Sequence, residues 1–153
     1  MTSEKNKKIS IKQIPTKDTY IIRQPVLRKN QPISACVFPF DDVDSSFHLG
    51  LFVDHTLVGV VTYIKQETPL LKNNGTYYQL RGMAILESYQ GCGYGKALID
   101  FGEKQLKNNN INYIWCNARA TATAFYKKNG FKVIGKPFDI PNIGAHFTMY
   151  KQI

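Results

Sequence analysis

Three glycines lie close together where two predicted elements meet. Gly91, Gly93 and Gly95 fall within Gln90–Lys96, which follows a strand-like run and opens a helix-like run. Glycines at such a turn let several backbone N–H groups point outward together, and the N-terminus of the following helix favours a negative charge. This combination predicts a site for a phosphate or pyrophosphate group.

The glycine turn departs from two common nucleotide-binding patterns. A Walker A loop requires glycine at position 90 and serine or threonine at position 97, where this chain has Gln90 and Ala97. A G-x-G-x-x-G fingerprint requires glycine at position 96 or 98, where this chain has Lys96 and Leu98. The remaining pattern is Q-x-x-G-x-G over residues 90–95.

The bulk composition indicates one ordinary globular domain. The 153 residues are 43% hydrophobic and 20% charged, which suits a single domain over residues 1–153. No apolar run approaches the length of about 18 residues that a membrane helix needs, and the first residues lack the apolar core of a signal peptide. The three cysteines form no CxxC pair, so neither a disulfide framework nor a metal site is expected. These features predict a cytoplasmic protein with no metal and no membrane partner.

The formal net charge of +9 is concentrated near the N-terminus. Residues 1–30 carry eight Lys or Arg and two acidic residues, and therefore +6 of the total. Residues 1–8 are predicted to be a polar basic tail. A basic segment can bind nucleic acid or an acidic partner, but a solvated surface is the simpler interpretation. Nucleic acid is therefore not the expected partner.

The spacing of apolar residues predicts strands that alternate with helices. Strands are expected around residues 9–11 and over 47–53, 57–65, 77–85, 111–118, 131–134 and 146–151; helices over 18–28, 93–108 and 120–129; and a long loop over 29–46. Asp18 is expected to cap the first helix. The second helix is expected to present one apolar face, formed by Tyr94, Ala97, Leu98, Phe101 and Leu106. The order predicts an α/β (α+β) domain with a mostly antiparallel sheet and one crossover after the glycine turn.

Two further blocks give the sequence a family resemblance. Residues 117–131 read N-A-R-A-T-A-T-A-F-Y-K-K-N-G-F, and residues 80–85 read L-R-G-M-A-I directly before the glycine turn. With Q-x-x-G-x-G, these blocks resemble the GNAT superfamily of N-acetyltransferases over residues 47–151. The resemblance implies a mixed sheet flanked by helices, in which a splayed pair of strands forms a wedge for acetyl-CoA as co-substrate.

The resemblance also implies a set of cofactor-binding residues. The backbone of the strand before the turn would pair with the pantetheine arm, and the glycine turn would hold the pyrophosphate. Asn117 and Phe125 match positions that meet the pantetheine arm. The expected set is Met83, Ala84, Ile85, Gln90, Gly91, Cys92, Gly93, Tyr94, Gly95, Lys96, Asn117 and Phe125.

The same resemblance implies that Tyr126 is the general acid. A phenol, with a pKa of about 10, can donate a proton to the departing CoA thiolate. The strand over 77–85 lacks the carboxylate that often serves as the base, and Arg81 lies at one common location for it. Arg81 instead suggests an acceptor with an anionic group. The remaining candidates for the base are His48, His146, Asp41, Asp42 and Asp44.

The predicted activity is direct transfer of an acetyl group from acetyl-CoA to a primary amine of a small molecule or peptide. A non-catalytic acyl-CoA sensor is the alternative that the missing carboxylate favours, and a nucleic-acid-binding module is the alternative that the net charge favours. The resemblance also raises a homodimer as an expectation, although no residue pattern here marks an interface.

Overall fold

The computed structural model describes residues 7–153, so most of the predicted N-terminal tail lies outside the described residues. Seven strands and three helices follow one another along the chain. They are β1 (Ile9–Ile14), α1 (Thr16–Leu27), β2 (Phe47–Val53), β3 (Thr56–Lys65), β4 (Tyr77–Ile85), α2 (Tyr94–Asn108), β5 (Tyr113–Arg119), α3 (Thr123–Lys128), β6 (Lys132–Ile140) and β7 (Gly144–Gln152). None of the helices within residues 7–153 is both long and apolar enough to cross a membrane.

The strands form one mixed sheet in the order β1-β2-β3-β4-β5-β7-β6. The β1–β2, β2–β3, β5–β7 and β6–β7 pairs are antiparallel, whereas β4 and β5 run parallel. The parallel pair follows from the crossover through α2, since only a connection of that length can return the chain to the same end of a sheet. The predicted fold class, a mostly antiparallel sheet with flanking helices, is confirmed.

The chain divides into two compact units, and the first comprises the residues up to Ile64 together with Gly82–Gly102. Its strands β2 and β3 are almost wholly buried. One of its apolar clusters joins β1, α1, β3 and the end of β4, and its buried members are Ile14, Ile22, Val60 and Ala84. This cluster fixes α1 against the strands.

The second unit comprises Lys65–Arg81 and Glu103–Ile153. Its aromatic cluster lies where β4 and β5 pair, with the rings of Tyr77 and Tyr113 stacked at 4.8 Å between centroids. Trp115 belongs to the same cluster, and its indole Nε1 donates a hydrogen bond to the carbonyl of Gln66 at 2.7 Å. The cluster therefore fixes the segment between β3 and β4 onto β5.

Several predicted boundaries differ from the observed ones. Asp18 does not cap α1, because Pro15 occupies the N-cap position and Asp18 lies in the first turn. The long loop contains a 3₁₀ turn, Ile33–Cys36. The predicted helix over 120–129 is a 3₁₀ turn followed by a two-turn helix, and the last two strands are longer than predicted.

The buried face of α2 also differs in part from the prediction. Leu98 and Leu106 are buried as expected, but Phe101 is 40% exposed. Gly102 is buried in its place, since a Cβ there would overlap the ring of Tyr63. The helical spacing of apolar residues predicted that Phe101 lies on the inner face of α2. The close approach of the tyrosine ring instead requires glycine on that face.

Candidate active site

The glycine turn forms an open, exposed loop at the N-terminus of α2. Gly91 and Gly93 have φ values of +80° and +82°, in the left-handed region that glycine adopts without strain. A Cβ at either position would meet no atom within 4 Å. The loop therefore combines a backbone that needs glycine with free space directly outside it.

Two side-chain contacts define the ends of this loop. The Gln90 amide Nε2 donates to the Ile85 carbonyl at 2.9 Å, which ties the loop to the end of β4. Lys96 forms an exposed ion pair with Asp100 at 2.6 Å, one turn along α2. The first N–H groups of α2 have no partner within their own helix, because of the geometry of any helix start, and they point toward the loop.

These features fit a pyrophosphate group. The helix start supplies N–H donors and a positive dipole end, and the loop glycines leave room for a close approach. Positive φ occurs at Gly91 and Gly93, while Gly95 lies within α2. Left-handed backbone is thus found at the first two of the three glycines.

Strand β4 bends just before it reaches the loop. Gly82 has a φ of +62°, which interrupts the regular strand conformation before Met83–Ile85. Ala84 is buried in the first unit's core, and Met83 and Ile85 are half-buried. Within residues 7–153, β4 pairs with β5 only from Tyr77 opposite Tyr113 to Gln79 opposite Trp115, in the second unit.

A buried ion pair organises the first unit beside this bend. The guanidinium of Arg23 on α1 is fully buried and contacts Asp41 through two hydrogen bonds, 2.7 and 3.1 Å long. It also donates to the Cys36 carbonyl at 2.8 Å and to the Thr62 hydroxyl at 2.9 Å. Burial by itself would raise the pKa of Asp41, but the hydrogen bonds and charge of Arg23 outweigh it and hold that pKa below its usual value. Asp41 is thus an ionised structural partner.

His48 continues the same network. The Asp41 carbonyl lies 3.0 Å from His48 Nε2 and can only accept, so the ring carries a proton on Nε2, which also lies 3.0 Å from Thr16 Oγ1. In the neutral ring, Nδ1 then accepts from the Thr62 hydroxyl at 2.7 Å. Burial lowers the pKa of His48. Both ring nitrogens are therefore occupied within the protein.

A cleft of about 460 Å³ opens at the outer side of this network, in the first unit. It is lined by the start of α1 and by the loop that includes Asp42 and Asp44. The Thr16 hydroxyl donates to Asp42 Oδ1 at 2.6 Å. Asp42 and Asp44, which the sequence offered as candidates for the base, are exposed in this loop.

The second unit contains the predicted general acid. Tyr126 on α3 is buried, and its ring makes edge-to-face contacts with Phe125 and Phe131 at centroid distances of 5.1 and 5.4 Å. These contacts fix the ring on a helix of only six residues. Phe125 is half-buried.

Asn117 and His146 lie on neighbouring strands of the same unit. The Thr148 hydroxyl donates to the Asn117 amide oxygen at 2.8 Å, so the exposed Asn117 side chain presents its N–H groups as donors. His146 is buried beside Phe138, and its Nδ1 donates to the Gly144 carbonyl at 2.8 Å. This assignment leaves the lone pair of the neutral ring on Nε2. Arg81, on β4 in this unit, is half-buried.

The first unit thus brings together Met83–Ile85 and the glycine loop, with His48 and Asp41 in the network beside β4. Sequence reasoning missed Arg23, Thr62 and Phe38. The Phe38 backbone N–H donates to Asp41 Oδ2 at 3.0 Å, and its ring would lie 3.6 Å from a Cβ on Gly82. The available signal was Arg23 on the apolar stripe of α1, one position after the buried Ile22, because an arginine there requires an acidic partner. Within residues 7–153, no three His, Cys, Asp or Glu residues are grouped to hold a metal ion.

The cysteines differ in their surroundings. Burial raises the pKa of the Cys116 thiol to about 12, so it stays protonated. Burial also raises the pKa of Cys36, against the lowering effect of Arg23 and Arg28. Cys92 is exposed in the glycine loop.

Comparisons with known proteins define the class to which this fold and loop belong. The model of the acetyltransferase (GNAT) family matches residues 11–131. The chain is 42% identical over 145 residues to a Bacillus subtilis (strain 168) protein named "Uncharacterized N-acetyltransferase YitI", covering 95% of this chain and 97% of that one.

Solved structures share the fold. The ribosomal-protein-S18-alanine N-acetyltransferase from Escherichia coli has a TM-score of 0.72 at 18% identity, covering 95% of this chain and 94% of that one. An aminoglycoside 6'-N-acetyltransferase complexed with coenzyme A has a TM-score of 0.73 at 13% identity, covering 94% and 96%. The family model and the 42% identical relative show that the chain is an acyltransferase. It belongs to the GNAT acetyltransferase family, as the sequence motifs predicted.

The Arg23–Asp41 pair gives a stability prediction. Asp41→Asn should lower the free energy of unfolding by about 3–5 kcal/mol, because it leaves a buried guanidinium without its counter-charge. Urea denaturation at neutral pH measures the loss. Asp44→Asn, in the exposed part of the same loop, is the matched control and should change stability by no more than about 0.5 kcal/mol.

The loss in free energy of unfolding caused by Asp41→Asn should depend on pH with a defined sign. The pKa of Asp41 is lower in the folded chain than its unfolded value of about 3.9, so its contribution is complete above that value. The contribution is lost as the pH falls through the folded pKa, and the gap between wild type and Asp41→Asn should then narrow. Equal losses in the Asp41 and Asp44 variants at neutral pH would contradict a structural ion pair.

Proposed function

We propose that this enzyme transfers the acetyl group of acetyl-CoA directly to a primary amine. The observation that carries the proposal is the open glycine loop at the start of α2, where Gly91 and Gly93 are left-handed and unobstructed. The phosphates would lie against the N–H groups of residues 92–96. Acetyl-CoA would supply an activated thioester carbonyl when it is bound.

The arm of the cofactor is proposed to follow β4 away from the loop. Backbone groups of Met83, Ala84 and Ile85 would pair with the pantetheine amides as an added strand does. The Ile85 carbonyl already accepts from Gln90, so the pairing rests mainly on the preceding residues. Asn117, whose amide oxygen is fixed by Thr148, would add an N–H donor.

The chemical step forms one bond and breaks one. The acceptor nitrogen attacks the thioester carbonyl, a C–N bond forms, the C–S bond breaks, and the nitrogen loses a proton. We propose that Tyr126 donates a proton to the departing sulfur, since family resemblance assigns it there and its ring is held by Phe125 and Phe131.

The base is proposed to be His146 rather than His48. Both nitrogens of His48 are engaged in the buried network, whereas His146 retains a lone pair on Nε2. Asp41 is held by Arg23 and is also unsuited to this role. A cytoplasmic location and a homodimer stay predictions.

Calorimetric titration with acetyl-CoA tests the cofactor site. Wild type should bind, and Gly93→Glu should bind about 100-fold more weakly or not at all, because it adds a negative charge and a Cβ at positive φ beside the helix start. Gly144→Glu is the matched control, since Gly144 also has positive φ and open space. Binding lost equally in both variants, or absent in wild type, would contradict the assignment.

Tyr126→Phe should lower kcat by about tenfold or more while leaving acetyl-CoA affinity nearly unchanged, because only the proton donor is lost. Detection of free CoA thiol, with an amine that wild type acetylates, measures turnover. Tyr20→Phe on α1 is the control. Unchanged turnover across the pH range would exclude Tyr126 as the acid.

His146→Gln should lower kcat/KM by about 100-fold or more, because glutamine cannot take the proton that the acceptor nitrogen loses. His48→Gln should lower the free energy of unfolding instead, because His48 belongs to the buried network. An unchanged kcat/KM in His146→Gln would assign the base elsewhere.

A further inference from the structure

Three strands of the second unit bring three side chains into one row across the sheet. Arg119 on β5 lies directly opposite His146 on β7, and His146 lies directly opposite Phe138 on β6. The side chains of directly opposite residues project from the same face of an antiparallel pair, with Cβ atoms about 5 Å apart. The row therefore brings the side chain of Arg119 next to that of His146, the proposed base.

The neighbouring row shows which other side chains share this face. Asn117 lies opposite Thr148, two residues before Arg119 and two residues after His146. The Thr148 hydroxyl donates to the Asn117 amide oxygen at 2.8 Å, so both side chains project from one face. Residues two apart on a strand share a face. Arg119 and His146 thus lie on the same face as Asn117, the proposed donor to the pantetheine arm.

The members of the row differ in exposure and in bonding. The buried His146 ring packs beside Phe138 at 5.7 Å between ring centroids, and its Nδ1 is held by the Gly144 carbonyl. A Cβ on Gly144 would meet no atom within 4 Å, so the surface beside this carbonyl is open. Arg119 is exposed, and within residues 7–153 no carboxylate lies within ion-pair distance of its guanidinium.

We propose that Arg119 binds a carboxylate on the acceptor, so that the preferred acceptors are small amines that also carry a carboxylate, such as amino acids. This proposal rests on the proposed function, in which His146 takes the proton that the acceptor nitrogen loses. The planar guanidinium presents paired N–H donors that match a carboxylate. Because the two side chains are neighbours, one small molecule can place its carboxylate at Arg119 and its amine at His146.

The other neighbour of His146 favours an organic acid over an inorganic anion. Phe138 is 37% exposed, so its ring offers an apolar surface on the side of His146 away from Arg119. The row therefore presents a cation, a proton acceptor and an apolar ring in sequence. A carboxylate, an amine and an apolar side chain occur together in the common amino acids.

The test compares each acceptor with its own carboxamide. The probes are L-leucine, L-phenylalanine and β-alanine, each paired with its amide, with acetyl-CoA as donor and free CoA thiol as the readout. A carboxylate favours the protonated, unreactive form of a nearby amine, so the amide would be the better acceptor if no group bound the carboxylate. Wild type should show a lower KM for the acid in at least one pair.

Variants then assign the preference to Arg119. Arg119→Gln should raise KM for the preferred acid by about 10- to 100-fold and leave KM for its amide unchanged, because one charged hydrogen-bonding partner is lost. Arg119→Lys should keep part of the preference, since it keeps the charge but not the paired donors. Lys104→Gln removes an exposed positive charge from α2 in the same unit and should change neither KM.

Calorimetric titration with acetyl-CoA separates this proposal from the proposed function. The Arg119 variants should bind acetyl-CoA as wild type does, and a loss of that affinity in Arg119→Gln would assign the guanidinium to the cofactor and overturn the proposal. An amide preference or no preference in every wild-type pair, or an equal effect of Arg119→Gln on both members of a pair, would also overturn it.

Wild type that binds acetyl-CoA but acetylates no member of any pair would likewise overturn the proposal. Absence of acetyl-CoA binding in wild type would instead overturn the proposed function. Thermal unfolding of each variant shows whether it is folded, and Arg119→Lys supplies the comparison if Arg119→Gln is not.

Discussion

The buried pair between Arg23 and Asp41 is the interaction on which the first unit depends. It joins α1 to a loop residue 18 positions later in the chain, and the same guanidinium reaches Thr62 on β3. Four of its N–H donors have acceptors, whereas Nε has no hydrogen-bond partner. A charge placed so deep is costly, so the loop can take only the path that supplies Asp41. The position of Phe38 beside the β4 bend follows from that path.

The glycine loop depends on residues that can adopt left-handed backbone conformations. Gly82, Gly91 and Gly93 adopt positive φ along one continuous stretch that leads from the end of β4 into α2. Glycine adopts these conformations without strain, whereas a residue with a Cβ would disfavour them. The last residues of β4 are thus followed closely by the start of α2, and the proposed cofactor would lie along both.

Much of the fold could be predicted from the sequence, because most of its elements show a clear periodicity of apolar residues or contain a family motif. The strands β2, β3 and β4, the helix α2 and the parallel crossover were all predicted. Errors fell where tertiary contact outweighs local preference. Phe101 was expected inside, but the Tyr63 ring lies against Gly102 on the inner face of α2.

The candidate site was predictable only in its local part. The motif predicted the loop over residues 90–96, because a loop and a helix start are determined by residues that are adjacent in the sequence. The Arg23 network links residues 16, 23, 41, 48 and 62, and no spacing rule connects them. Phe38 acquires its position beside Gly82 through the same long-range path.

Trp115 is the only tryptophan of the chain, and it lies in the second unit with its indole bonded to Gln66. Intrinsic tryptophan fluorescence therefore reports on the packing of that unit alone. Circular dichroism, by contrast, records the backbone of both units. A denaturation curve that coincides in the two signals would show that the units unfold as one cooperative body, and separated midpoints would show that they do not. A single aromatic side chain thus makes the cooperativity of this fold directly observable without a label.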